Sequence, residues 1–167
     1  MKSVILIRHG TAEDVAADGS DANRELTPEG VREVETVARG LHTQVSRVHL
    51  IASSPAKRAV QSAQTIARVF NDPAFIRTDV LAPGRRPQDQ LGWLWQTPPN
   101  EIIVLVGHEP DLGHLLSLSV AGVDWTFFHF EKGGCCMLSV PDNAEPGTGR
   151  LNWALTTAQA RALAGKP

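Results

Sequence analysis

Hydrophobic and polar positions along this chain fall into blocks whose period switches repeatedly between strand and helix. Val4-Ile5-Leu6-Ile7 is a continuous aliphatic run of the kind a strand buried on both faces requires, and it stops abruptly at Arg8-His9-Gly10. Residues 11–25 are polar and without period, a loop lying over that strand end. Thr27 and Pro28 are suited to the cap and first position of a helix, and Val31, Val34, Val37, Ala38 and Leu41 recur on one helical face. A second strand is predicted over 47–53, followed by a helix over 56–70 with Ser54 as its cap and Pro55 in its first turn. Its small apolar side carries Ala59, Ser62, Ala63, Ile66 and Ala67. A third strand over 75–81 precedes a loop and a helix over 88–96, which buries Leu91, Leu94 and one of Trp93 or Trp95. Residues 102–106 form the most hydrophobic strand, and a helix over 111–121 follows Gly107-His108-Glu109-Pro110. The remainder reads as a partly buried aromatic stretch (125–130), strands over 135–140 and 151–155 joined by a polar hairpin loop, and a last helix over 157–164.

Strands alternating with helices predict an α/β fold: a three-layer sandwich, its central sheet mainly parallel with helices on both faces, and a late antiparallel hairpin. No internal repeat or linker interrupts the pattern, so residues 1–167 are expected to form a single domain. Composition narrows the function classes. A formal net charge of −2 gives no nucleic-acid surface, and five Phe and four Trp without Tyr make no base-stacking pattern. No run approaches membrane-spanning length or a secretory signal, so a cytoplasmic location without membrane contact is expected. The adjacent Cys135 and Cys136 have neither disulfide partners nor metal-site spacing. They are expected to be small hydrophobes or half-exposed thiols outside the chemistry.

Candidate chemistry gathers at the carboxyl ends of two central strands, where open α/β sheets bind ligands. There Arg8 offers a planar fork for oxyanions and His9 an imidazole capable of attacking phosphorus, with Gly10 permitting a close approach. Taken alone, Arg8-His9 could equally be a surface pair. Arg58, in the first turn of a helix that follows a strand, opposes the helix dipole, a small cost that makes sense beside an anion; a solvated arginine like Lys57 is the plainer alternative. His108 repeats the first strand's pattern at the end of a second buried strand, and that recurrence favours a shared site.

Arg8-His9-Gly10, the segment Ser54-Pro55-x-x-Arg58-Ala59-x-Gln61-Ser62 and Gly107-His108-Glu109-Pro110 together resemble the histidine phosphatase superfamily, with its phosphoglycerate-mutase-like fold. Arg24 with Leu26-Thr27-x-x-Gly30, Leu81-x-Pro83, Gly107-His108-x-Pro110-x-Leu112-Gly113 and Asn152-Trp153 resemble its short SixA-type phosphohistidine phosphatases. The resemblance implies a phosphatase with a phosphohistidine intermediate. His9 is then the nucleophile, Arg8, Arg58 and His108 surround the phosphoryl oxygens, and Gly10 and Arg24 are further phosphate contacts. It implies no cofactor and no metal, and His42, His49, His114 and His129 lack ligand spacing.

The chain departs from the family in its general acid. Many members carry a Glu after the second-arginine helix, whereas no Glu lies between Arg58 and Glu101. Asp21, Asp18 and Asp89 are the candidates left. The expected substrate is phosphohistidine in a protein such as a phosphorelay domain. A broad phosphatase for small phosphate esters is the alternative, and a phosphate-binding module without turnover is a third.

Overall fold

The computed structural model describes residues 1–165. Its centre is a six-stranded sheet in the order β3-β2-β4-β1-β5-β6, formed by β1 (Lys2–Arg8), β2 (Leu50–Ser53), β3 (Ala74–Arg77), β4 (Ile102–Gly107), β5 (Cys135–Val140) and β6 (Arg150–Leu155). β3, β2, β4 and β1 are mutually parallel; β5 runs antiparallel to both β1 and β6. The two aliphatic runs are neighbours in register, with Arg8 beside Gly107, so both histidines emerge at the same edge of the sheet.

The pleat divides the core in two. Ile5, Ile7, Ile51, Val104 and Val106 face α1 (Pro28–Gln44), α2 (Lys57–Val69) and α5 (Thr157–Leu163). Val4, Leu6, Ala52, Ile103 and Leu105 face α3 (Pro87–Gln96) and α4 (Asp111–Ala121). This is the expected three-layer α/β sandwich. Cys135 and Cys136 are fully buried on opposite faces of β5, one in each half of the core, and burial pushes the Cys135 thiol up to about 12. They are core hydrophobes. No helix among the described residues is long and apolar enough to cross a membrane.

Local chemistry explains several shifted boundaries. The expected third strand is cut short at Arg77, because the Thr78 side chain accepts from the Val80 N–H and opens a 3-10 turn over Asp79–Leu81. That turn carries the chain from the sheet edge to the opposite face, where Leu81 is buried. The second strand begins at Leu50, later than expected. Trp93 rather than Trp95 packs on the core, and Trp95 is exposed. In the aromatic stretch Phe130 is buried while Trp125 and Phe127 are exposed.

Candidate active site

Gly10 lets the end of β1 press against the start of α1. A Cβ there would lie about 2.5 Å from the Val34 side chain, too close for any residue with a side chain. Thr27 caps α1 as expected, accepting from the Gly30 N–H. The chain turns after His9, and the ring is locked: Nδ1 lies 2.8 Å from the Gly10 carbonyl oxygen, while Nε2 lies 3.2 Å from Nε of Arg58. A carbonyl only accepts and a guanidinium only donates, so Nδ1 carries the proton and Nε2 presents its lone pair. The Gly10 N–H itself is taken by Ser62 Oγ, so Gly10 contributes its carbonyl to the site.

Arg58 is buried in the first turn of α2 and ties the site together. Its Nη1 donates to the Asp21 carbonyl at 2.8 Å and its Nη2 to Asp21 Oδ2 at 3.1 Å, and Nη2 also lies 3.5 Å from Nδ1 of His108. His108 Nε2 meets Ser54 Oγ at 2.7 Å, and by the same donor logic Nε2 carries the proton. The two imidazoles are 5.1 Å apart, tilted by 59°. Arg8, on the other side, is anchored through Nη1 to the Phe130 carbonyl at 2.8 Å, with its Nε buried and without a partner. These groups form a cationic cluster with two neutral imidazoles, whose charge suits a tetrahedral oxyanion.

The electrostatics follow from burial first. Desolvation, reinforced by Arg58, Arg8 and Arg24, lowers the pKa of His9 to about 4 against the pull of the Gly10 carbonyl. Desolvation, then the neighbouring His9 and the arginines, lower that of His108 to about 3. Both rings are therefore neutral at pH 7.

The remaining predicted residues divide. Arg24 does reach the site, through Asp21: its Nε and Nη2 donate to Asp21 Oδ1 at 3.0 and 2.9 Å, and its Nη1 to the Glu13 carbonyl. Asp18 caps its own loop, accepting from Ser20 and Asn23, and Asp89 pairs with Arg86 at the start of α3. Neither bonds to a group of the site. Hydrogen bonds hold all three carboxyls below their usual range, from Arg24 for Asp21, Asn23 for Asp18 and Arg86 for Asp89. A carboxyl held ionised is a poor proton donor.

Two residues went unassigned in the sequence. Ser54 reads there as a helix cap, but α2 starts at Lys57 with Ala56 as its capping residue and no side-chain cap. Ser54 instead accepts from the Ala56 N–H and from the His108 Nε2–H that the Arg58 contact at Nδ1 implies. Glu109 is the other. Its side chain is 4 % exposed, neither oxygen completes a hydrogen bond, and His129 Nδ1 lies 3.4 Å from Oε2. Burial raises its pKa, with the Phe130 backbone, His129 and Arg8 pulling it back. The only signal for it in the sequence is its place next to His108. Among the described residues no three His, Cys, Asp or Glu side chains cluster as metal ligands.

Known proteins share this fold. Residues 4–81, which span Arg8-His9-Gly10 and Arg58, match the model of the histidine phosphatase superfamily (branch 1). An uncharacterized protein of a Picosynechococcus strain is 33% identical over 129 residues, 76% of this chain and 78% of that one. Among solved structures, the protein histidine phosphatase SixA complexed with tungstate superposes with a TM-score of 0.83 at 23% identity, over 93% of this chain and 97% of that one. An Agrobacterium tumefaciens protein assigned as a phosphohistidine phosphatase SixA gives 0.76 at 26% identity, over 92% and 97%. The phosphoserine phosphatase of Entamoeba histolytica, in complex with 3-phosphoglyceric acid, gives 0.70 at 20% identity, over 96% and 100%. With two histidines and two arginines meeting at the shared end of β1 and β4, the chain belongs to the histidine phosphatase superfamily and has the architecture of its SixA-type members.

Proposed function

We propose that this protein is a metal-independent phosphatase that uses His9 as its nucleophile and acts on phosphohistidine in a protein. The observation that carries the reading is the His9 ring itself. It is neutral, held through Nδ1–H by the Gly10 carbonyl, and it presents the Nε2 lone pair towards a buried guanidinium. In the first step Nε2 attacks phosphorus, giving a phosphohistidine on the enzyme and releasing the substrate's imidazole. In the second, water cleaves the enzyme's P–N bond and phosphate leaves. Arg8 and Arg58 neutralise charge on the phosphoryl oxygens, the main contribution a protein makes to such a transfer, and the neutral His108, its Nδ1 turned to Arg58 Nη2, holds that guanidinium in place. Arg24 adds positive charge from behind Asp21.

The leaving group supports the substrate assignment. An alkyl phosphate needs a proton donor for its departing oxygen, and Asp18, Asp21 and Asp89 are all held ionised. A phosphohistidine whose other ring nitrogen is protonated leaves as neutral imidazole with no proton supplied to the departing atom. SixA, whose fold this chain shares, was solved with tungstate, an oxyanion of phosphate-like shape. The likeness to a phosphoserine phosphatase keeps small phosphate esters as a second reading.

The test is a single-turnover assay with chelator present, on a phosphohistidine protein and on p-nitrophenyl phosphate, for wild type and His9→Ala. Wild type should form an acid-labile phosphoenzyme and release phosphate faster from the phosphohistidine protein, and His9→Ala should do neither. Faster turnover of p-nitrophenyl phosphate favours the ester reading. Phosphate binding with no phosphoenzyme from either compound leaves only a binding module.

A further inference from the structure

The carboxylate of Asp21 stands where an acid is wanted, yet everything around it opposes protonation. Oδ1 takes two hydrogen bonds from Arg24, and Oδ2 takes one from Arg58. These bonds, Arg24's first, hold the group below the usual carboxylate range, although the side chain is 65 % exposed at the mouth of the site. It is also close to the chemistry: Oδ2 sits on Nη2 of the same guanidinium whose Nε touches the His9 lone pair.

A phosphoryl group bound to Arg58 competes with Asp21 for that guanidinium. Oδ1 keeps its hold on Arg24, so Oδ2 is released while the residue stays in place. In-line attack by His9 puts the leaving group on the side of phosphorus away from Nε2, and a group that leaves towards solvent meets the exposed Asp21. What the mouth then offers is a hydrogen-bond acceptor, useless to a departing alkoxide and well matched to a ring N–H.

Resting on the proposed function, we propose that Asp21 is the specificity-determining residue of this site, its carboxylate accepting a hydrogen bond from the far ring nitrogen of a substrate phosphohistidine. The reaction balances without an acid. The Nε2 lone pair of His9 forms the new P–N bond, and the substrate's P–N bond breaks with its electron pair passing to the substrate ring. The proton on the far nitrogen stays there, held by Asp21, so the ring departs as neutral imidazole. By favouring the protonated ring, Asp21 favours the form whose P–N bond is weakest. A phosphate ester has no such N–H and gains nothing from it.

The experiment compares kcat/KM for free phosphohistidine and for p-nitrophenyl phosphate in wild type, Asp21→Asn and Asp21→Glu. A lost charge-assisted hydrogen bond predicts that Asp21→Asn lowers the phosphohistidine-to-ester ratio roughly 10- to 100-fold. Asp21→Glu, which keeps the charge, should recover part of that loss. Parallel loss on both substrates overturns the proposal, because Asp21 then only supports the arginines. An unchanged ratio also overturns it, as does a greater loss on the ester, which marks Asp21 as a proton donor. A wild type with no preference for phosphohistidine removes the proposed substrate and this inference together. A wild-type preference that survives in Asp21→Asn removes this inference alone.

Discussion

The ends of β1 and β4 are near copies that do different work. Each is an aliphatic strand closing on a histidine and a glycine, each histidine is buried, and each has its pKa lowered mainly by desolvation. The second ring nitrogen separates them. On His9 the Gly10 carbonyl holds Nδ1–H, so Nε2, the outer nitrogen, meets Arg58. On His108 the Ser54 hydroxyl takes Nε2, so Nδ1, set close to the backbone, is what faces Arg58. An outer nitrogen can advance on phosphorus, and an inner one bonded to Arg58 can only hold that guanidinium. Burial makes both rings neutral, and the partner of the far nitrogen assigns the role.

Substitution should expose that asymmetry. On the proposed mechanism His9→Ala removes the attacking atom and should cost turnover at least ~10⁴-fold. On the same mechanism His108→Ala removes the ring that holds Arg58 and should cost less, about 10²- to 10³-fold, while still allowing a phosphoenzyme to be trapped. Equal losses, or no trapped phosphoenzyme in His108→Ala, would break the comparison. Ser54→Ala sharpens it: leaving the His108 Nε2–H without its partner should cost about tenfold, the value of one buried hydrogen bond, with no effect on the acid lability of the phosphoenzyme.

The lowered pKa values also set the acid stability. The unfolded chain takes protons on its histidines near pH 6.5, whereas the native chain resists until about 4 at His9 and about 3 at His108. Native stability is therefore full above about pH 6.5 and falls as the pH drops towards those lower values, by about 3 kcal/mol for His9 alone. Urea unfolding at pH 7 and 4.5 should show a smaller drop for His9→Gln than for wild type. The smallest effect is expected at Glu109, whose raised pKa means that its ionisation opposes folding as the pH rises. Glu109→Gln should be more stable than wild type at pH 8, by an amount that shrinks on acidification. A loss of stability instead would show that its charge supports Arg8.

Much of this could be read from the residues in order. The aliphatic runs at 4–7 and 102–106 dictate central strands, because nothing but burial on both faces suits them. The Arg, His and Gly that end those runs are poor strand residues, so they mark the functional edge. Arg58 was legible as a cation opposing a helix dipole. Boundaries that depend on a single side chain were not, as at Thr78, where one hydroxyl ends the third strand.

The sequence by itself determined the three layers, the mainly parallel sheet and the histidines at the ends of two buried strands, since hydrophobic period and chain direction are local properties, and the family resemblance added Arg58 to them. Tertiary structure alone decided which nitrogen each histidine presents, that Ser54 serves His108 rather than a helix, and that Asp21 lies between Arg24 and Arg58. Those depend on contacts between residues as far apart as Ser54 and His108, or Asp21 and Arg58. Burial then sets the charge of each group, and burial is a property of the assembled molecule.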